Sequence, residues 1–451
     1  MSDEGFDPRA GAAARARDSL TRRTFLDLTA AGAAAAAGLG AWLDPLAARA
    51  EAARFTAWGW PQPYERVSAK SVAWLKSKGW WPLRWGYQPP WMVEATVPMV
   101  IHSAGLEKPR GLEIEFLPFL AGPPLNEAIV AGKLQIGEGG DFPVTSLIIR
   151  NAPVRSAGII WTPLDEHEIL VRPDSTMKKP EDLKGKVVGL VTGSSAEFAF
   201  VAYCKAHGID SSKDLTVRPM SIPDQATFPK GVDAVVPWAP TPSLMVKYLK
   251  NAKIFDDTGP YQLYWGDLHI RHELAENVPD VVQAVVDMCL EALLWQRLDP
   301  RKATDIVKTN PALQVYPAQL LYDQNIVWAN NLKPTAMYPF TELYALEGAR
   351  VAKFLYDEGR AKRLLTEKDY MDYFDGAREW VDASFKKLGW TIPKEPPFFP
   401  PGVTLGTYKQ WIAKGEPFRL IWPYKLDKPQ PWPGPGDLQR PWSFDGKMHH
   451  P

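Results

Sequence analysis

Gly132-Lys133-Leu134-Gln135-Ile136-Gly137-Glu138-Gly139-Gly140-Asp141-Phe142-Pro143 is the stretch that decides the fold class of this chain. Gly132 stops a helix predicted over 125–131. Leu134 to Gly137 then form a short strand, and a second helix begins at Phe142 and runs to Arg150. Upstream the same rhythm holds, with a strand over 82–87, a helix over 94–103, and Leu112, Ile114 and Phe116 alternating with Glu113 and Glu115 as a half-buried strand. Alternation of this kind builds an α/β lobe in which helices cover both faces of a sheet.

Downstream, a second unit repeats the plan. The apolar run over 186–191 is a strand buried on both faces. Gly193-Ser194-Ser195 turns into a helix that reaches His207 and stops at Gly208. Strands are predicted over 215–218 and 232–236, followed by a helix over 244–249. Long amphipathic helices follow over 279–296, 341–358 and 367–388. After Thr391 the periodicity disappears, and Pro, Trp and Phe alternate with charges. That tail is too aromatic for disorder and is expected to wrap the surface of a lobe.

Bulk composition agrees with two cores. The 451 residues are 45% hydrophobic and 23% charged, enough to bury two ordinary lobes. Lys plus Arg equals Asp plus Glu, 52 against 52, so no global field favours nucleic acid. The 43 prolines and 19 tryptophans call for long ordered loops and for aromatic packing or an aromatic pocket. Cys204 and Cys289 both fall in apolar helical stretches and read as buried free thiols.

The N-terminus is an address. Leu20-Thr21-Arg22-Arg23-Thr24-Phe25-Leu26 resembles a twin-arginine export signal. A weakly apolar run over 29–43 follows, too short and too poor in large side chains for a transmembrane helix. Ala48-Arg49-Ala50 offers a small-x-small cleavage site, with Ala50-Glu51-Ala52 as the alternative. Thr21 and Asp27 depart from the usual signal, where Ser and Lys are common. The expected product is a periplasmic protein, cut near Ala50 and delivered by the twin-arginine translocase.

Ligands of open α/β sheets bind beyond the carboxyl ends of strands, where helices begin. Three such points occur: Tyr87-Gln88-Pro89-Pro90-Trp91, Gly139-Gly140-Asp141-Phe142, and Gly193-Ser194-Ser195. Glycine lets the backbone approach a ligand, and N–H groups at a helix start favour an anion. Ser194 and Ser195 either donate to a ligand or cap the helix. Asp141 reads more readily as an N-cap than as a ligand contact. Trp91, Phe142, Trp238 and Trp265 are candidates for an apolar wall, Trp238 first among them because it sits in the Pro237–Pro240 turn. Together with Gln88 and Gly140 these form the candidate binding set. His269-Ile270-Arg271-His272 places two histidines three apart but lacks a third ligand, so no metal is expected. The segment 166–168 reads as a solvated hinge, with a cleft-facing His167 as the alternative. Neither a P-loop nor a Gly-x-Ser-x-Gly elbow is present, and no cofactor is implied.

Three segments carry a family resemblance: 132–143, 179–189 (Lys179-Pro180-Glu181-Asp182-Leu183-Lys184-Gly185-Lys186-Val187-Val188-Gly189) and 231–240 (Gly231-Val232-Asp233-Ala234-Val235-Val236-Pro237-Trp238-Ala239-Pro240). In this order and spacing the chain resembles the nitrate/sulfonate/taurine-type ABC substrate-binding proteins, a family that also includes thiamine-pyrimidine binders. The resemblance covers roughly 85–388. It implies a type 2 periplasmic-binding-protein fold, two α/β lobes joined by crossing strands. Lobe 1 is then 81–165 with 266–390, lobe 2 is 166–265, and 51–80 and 391–451 are additions outside the match. It also implies a monomer without catalytic residues that passes a sulfonate, an aromatic carboxylate or another small organic anion to an ABC permease and its ATPase. Alternatives are an enzyme on the same fold, desulfinase-like or pyrimidine-synthase-like, and a ligand-presenting sensor subunit.

The export reading has a direct test. With Arg22 and Arg23 both replaced by Lys, precursor should accumulate in the cytoplasm, as read by cell fractionation and blotting. Undiminished delivery of mature protein would exclude the twin-arginine route.

Overall fold

The predicted alternation organises two separate sheets in the computed structural model, which describes residue 56, residues 58–414 except 163–166, 332–334, 336, 391, 393, 397–398 and 400–401, and the segments 442–444 and 447–449. The export signal, its cleavage site and Glu166 lie outside these residues.

Helix α1 (Ala69–Ser77) precedes the first sheet. Strands β1 (Leu83–Tyr87), β2 (Ile114–Pro118) and β3 (Ile136–Gly140) pair in parallel in the order β2-β1-β3. Helix α2 (Met92–Ala104) links β1 to β2, α3 (Gly122–Val130) links β2 to β3, and α4 (Asp141–Ile149) leads from β3 to β4 (Val154–Trp161). The second sheet contains β5 (Glu168–Val171), β6 (Val187–Leu190), β7 (Thr216–Pro219), β8 (Ala234–Val235) and β9 (Lys253–Asp257), in the order β7-β6-β8-β5-β9. Helix α5 (Ser195–Ala206) crosses from β6 to β7, and α6 (Ile222–Thr227) from β7 to β8. The segment Leu244–Leu249, expected as an α-helix, is one wide π-helical stretch. The chain then returns as β10 (Gly266–Arg271), which runs antiparallel between β3 and β4 and completes the first sheet.

The remaining helices pack largely on the first sheet. Helix α7 (Pro279–Leu298) is buried on several sides, as its closely spaced Val281, Val282, Val285 and Val286 require. It is followed by α8 (Pro300–Val307), α9 (Ala318–Asn331) and α10 (Thr341–Asp357). The single helix expected over 367–388 is two, α11 (Glu367–Tyr373) and α12 (Ala377–Lys387). Gly376 at φ 83° stands between them, a left-handed conformation that glycine adopts without penalty. In the tail, α13 (Leu405–Lys414) buries Tyr408, whose hydroxyl donates to Glu347 of α10 at 2.5 Å. Cys204 and Cys289 are buried free thiols, as expected.

A buried charge pair docks the segment ahead of β1. Arg110 Nη2 lies 2.7 Å from Glu291 Oε2 of α7, both nearly inaccessible, in a close ion pair not aligned as a hydrogen bond. The other Glu291 oxygen accepts from Trp58 Nε1 and Tyr64 OH, each at 2.7 Å. The Arg110 guanidinium stacks 4.5 Å from the Tyr64 ring and 5.3 Å from Trp60. Removing one partner strands the other charge in a dry interior. Arg110→Met should therefore cost about 3–5 kcal/mol of unfolding free energy in a urea titration. A loss under about 1 kcal/mol would show the pair to be solvated.

Candidate ligand-binding site

A cavity of about 390 Å³, counting its mouth, opens between the two sheets. The first lobe supplies Gln88 after β1, Ala121, Gly122 and Pro123 at the start of α3, and Gly140 and Pro143 at the start of α4. From the second lobe come Ser194 and Ser195 after β6 and Trp238 after β8. Trp91 closes one side, and His167 and Tyr264 come from the two connections between the sheets.

Four helices begin at this wall. Trp91 is the N-cap of α2, Ala121 of α3, Gly140 of α4 and Ser194 of α5. A helix start carries N–H groups without intrahelical partners and the positive end of the helix dipole. Among the described residues that line the cavity there is no lysine or arginine. His167 is buried, and that burial pulls its pKa down to about 3, so it is a neutral imidazole. The indole N–H groups of Trp91 and Trp238 are buried and meet no acceptor among the described residues.

Six candidates from the sequence therefore meet here: Gln88, Trp91, Gly140, Ser194, Ser195 and Trp238. Three do not reach the cavity. Trp265 is fully buried in the first core against Tyr344 and Phe374. Phe142 lies one residue past Asp141, and its ring turns into an aromatic cluster with Phe198 and Phe354. Asp141 is buried beneath the wall; Gly140, not Asp141, is the N-cap of α4. The Asp141 carboxylate accepts from Ser195 Oγ, from Gln262 Nε2 and, at 2.7 Å, from the N–H of Phe142. The serine hydroxyls are thereby committed as donors inside the protein, Ser195 to Asp141 and Ser194 to the Val191 carbonyl at 2.6 Å. His167, read as part of a solvated hinge with a cleft-facing position as the alternative, takes the alternative: it lines the cavity, buried against Tyr264 with their rings 5.1 Å apart. Ala121, Gly122, Pro123, Pro143 and Tyr264 carried no individual signal; a helix start after β2 was the available clue.

Gly140 is confined by its neighbours. A Cβ there would lie 2.5 Å from Tyr264 OH and 2.7 Å from Ser195 Oγ, so a side chain would have to displace both groups. The lobes also touch beyond the cavity. Arg360 forks onto Glu197 at 2.8 and 3.2 Å, and Glu197 Oε2 accepts from the Gly193 N–H at 2.7 Å. Thr241 and Tyr316 share a hydrogen bond of 2.8 Å on the opposite flank.

Burial raises the Asp141 pKa to about 7, against its hydrogen bonds, which lower it. The sign follows. A carboxyl whose pKa is higher folded than unfolded adds stability below the unfolded value, about 3.9, and that stability is lost as pH rises through about 7. Asp141→Asn should remove that share, so its unfolding free energy should fall less than wild type between pH 4 and 8, by an amount on the order of 1–3 kcal/mol. Parallel pH profiles would show that Asp141 ionises normally in the fold.

Residues 108–303 match the NMT1/THI5-like family model. The chain is 26% identical over 187 residues to the taurine-binding periplasmic protein of Escherichia coli (strain K12), covering 41% of this chain and 58% of that one. The curated relatives it matches are spanned over 58–60% of their length. Among solved structures, the periplasmic aliphatic sulphonate binding protein of Escherichia coli superposes with a TM-score of 0.55 at 23% identity, covering 64% of this chain and 91% of that one. The alkanesulfonate-binding protein of Xanthomonas axonopodis pv. citri, bound to MOPS, gives 0.54 at 21% identity, with 64% and 96% covered. With two mixed sheets joined by crossing strands, the chain has the fold of the periplasmic substrate-binding proteins, built around an NMT1/THI5-like segment at 108–303.

Proposed function

We propose that this protein is an extracytoplasmic solute-binding protein that captures a small organic anion in the cavity between its lobes and delivers it to an ABC importer. The observation that carries this reading is the convergence of four helix N-caps, Trp91, Ala121, Gly140 and Ser194, on one cavity. Partial positive charge and N–H donors held there by both lobes stabilise an anionic head without a cationic side chain. Trp91, Trp238 and Tyr264 give its body an aromatic wall. The relatives named for taurine and sulfonates support the same class. Neither cysteine lines the cavity, which favours transport over thiol-based catalysis. Energy for uptake then comes from a membrane permease and its ATPase.

A second reading rests on the neutral His167 and on the lack of lysine and arginine in the lining: an uncharged nitrogen heterocycle held between Trp91 and Trp238. A thermal-shift screen of sulfonates, aromatic carboxylates, nitrate and pyrimidines separates the two. A true ligand at ~100 times its dissociation constant stabilises by ~2.7 kcal/mol. Anions should raise the melting temperature, and Gly140→Ala should reduce the rise by displacing Tyr264 and Ser195 at the cavity wall. Trp238→Ala should weaken aromatic ligands more than small ones. A response confined to neutral pyrimidines would overturn the anion reading.

A further inference from the structure

Gln88 stands between the cavity and a pair of buried acids. It is only 5% exposed, and Glu94 of α2 and Glu138 of β3 behind it are 1% and 0% exposed. Its Nε2 lies 3.2 Å from the main-chain oxygen of Glu138 and 3.5 Å from Glu94 Oε1. A main-chain carbonyl has lone pairs and no proton, so an amide oxygen turned toward it would meet acceptor with acceptor. The nitrogen of Gln88 is thereby committed to the protein side. Its oxygen is left near the cavity wall, where a Cβ placed on Gly122 would lie 3.9 Å from it.

The support behind this amide is itself fixed. Trp85 Nε1, a donor and never an acceptor, bonds Glu138 Oε1 at 2.7 Å. Glu94 and Glu138 lie close enough for each to shift the other's ionisation, and one carboxyl oxygen of each meets no partner among the described residues. Every group in the row from Trp85 through the acids to Gln88 is buried, so a reversal of the amide would leave unpaired polar atoms in a dry interior.

We infer that Gln88 is a specificity-determining residue: it offers a fixed hydrogen-bond acceptor, and the preferred ligand is an organic anion whose body carries an O–H or N–H donor. This rests on the anion-binding reading given above. A plain alkane- or arenesulfonate would cover the Gln88 oxygen without pairing it, the loss by which polar sites reject analogues that lack the matching group. The helix starts hold the head, and Gln88 reads the body.

The test is calorimetric titration of the whole mature protein with two matched pairs: ethanesulfonate against 2-hydroxyethanesulfonate, and benzenesulfonate against 4-hydroxybenzenesulfonate. In whichever pair binds, the hydroxylated member should bind about tenfold or more tightly to wild type. Gln88→Met, close in shape but without polar atoms, should bring the two members of that pair within about twofold of each other. Gln88→Leu is a second variant should the first fail to fold by circular dichroism. Equal affinities in wild type, or a preference that survives in a folded variant, would overturn the role of Gln88. Binding of none of the four would overturn the sulfonate form of the anion reading, and this inference with it.

Discussion

The return of β10 into the first sheet is the constraint on which the rest of the structure depends. Its residues pair on one side with β3, Gly266 opposite Gly140 and Leu268 opposite Glu138, and on the other side with β4. The first sheet is thus complete only after the second lobe has been made. The same pairing brings Tyr264, two residues before β10, up to the end of β3 and α4. It also brings polar side chains into the core. Asp267 is fully buried, and it is held by Ser156 Oγ and Tyr373 OH, each at 2.5 Å. Burial and the adjacent Asp267 charge push the Tyr373 phenol well up, so it stays a donor. A buried carboxylate with both oxygens satisfied is tolerable where an orphaned one is not.

The electrostatics of the cavity would otherwise look hostile to an anion. Glu94, Glu138 and Asp141 lie in or just behind its wall, and no cationic side chain lines it. A full charge a few Å from an anion costs on the order of 4 kcal/mol at the effective dielectric of such places. Burial resolves the conflict. It raises the pKa of all three acids, for Glu94 with the Glu138 charge adding to the effect, and so weakens the negative charge they hold near neutral pH. Desolvation therefore does two things here. It strengthens the helix-end field and reduces the charge on the acids that would oppose an anion.

How much of this was legible in the sequence depended on whether a feature is local. Helix–strand alternation, the glycine stops and the loops after β1, β3, β6 and β8 are local, and they located Gln88, Trp91, Gly140, Ser194, Ser195 and Trp238 at the cavity. The antiparallel strands were harder to see. β4 is buried along nearly its whole length and so shows no alternation, and β10 mixes Asp267 and His269 with apolar residues. Burial of His167, Asp141 and Trp265 is set by partners far along the chain, such as Tyr264, Gln262 and Tyr344. A run of residues cannot state those contacts. The choice between donor and acceptor at the serines was equally hidden, because it is decided by Asp141 and by the Val191 carbonyl.

Phe142 shows what such a displaced candidate does instead. Its ring, with Phe354 from the first lobe and Phe198 from the second, forms an aromatic joint beside the cavity, their centroids 5.7–6.2 Å apart. Arg360 lies over Phe142 at 5.2 Å while it grips Glu197 across the gap. The Arg360 side chain is 35% exposed, so this ion pair adds at most about 1 kcal/mol. Aromatic pairs of this geometry add about 0.5–1.5 kcal/mol each. Turning a population from mostly open to mostly closed takes about 5.5 kcal/mol. A joint of this strength biases closure without committing to it, and leaves room for the free energy of a ligand to decide. Contacts of that order are enough to align the lobes and too few to hold them shut alone, which is what the proposed binding role asks of them.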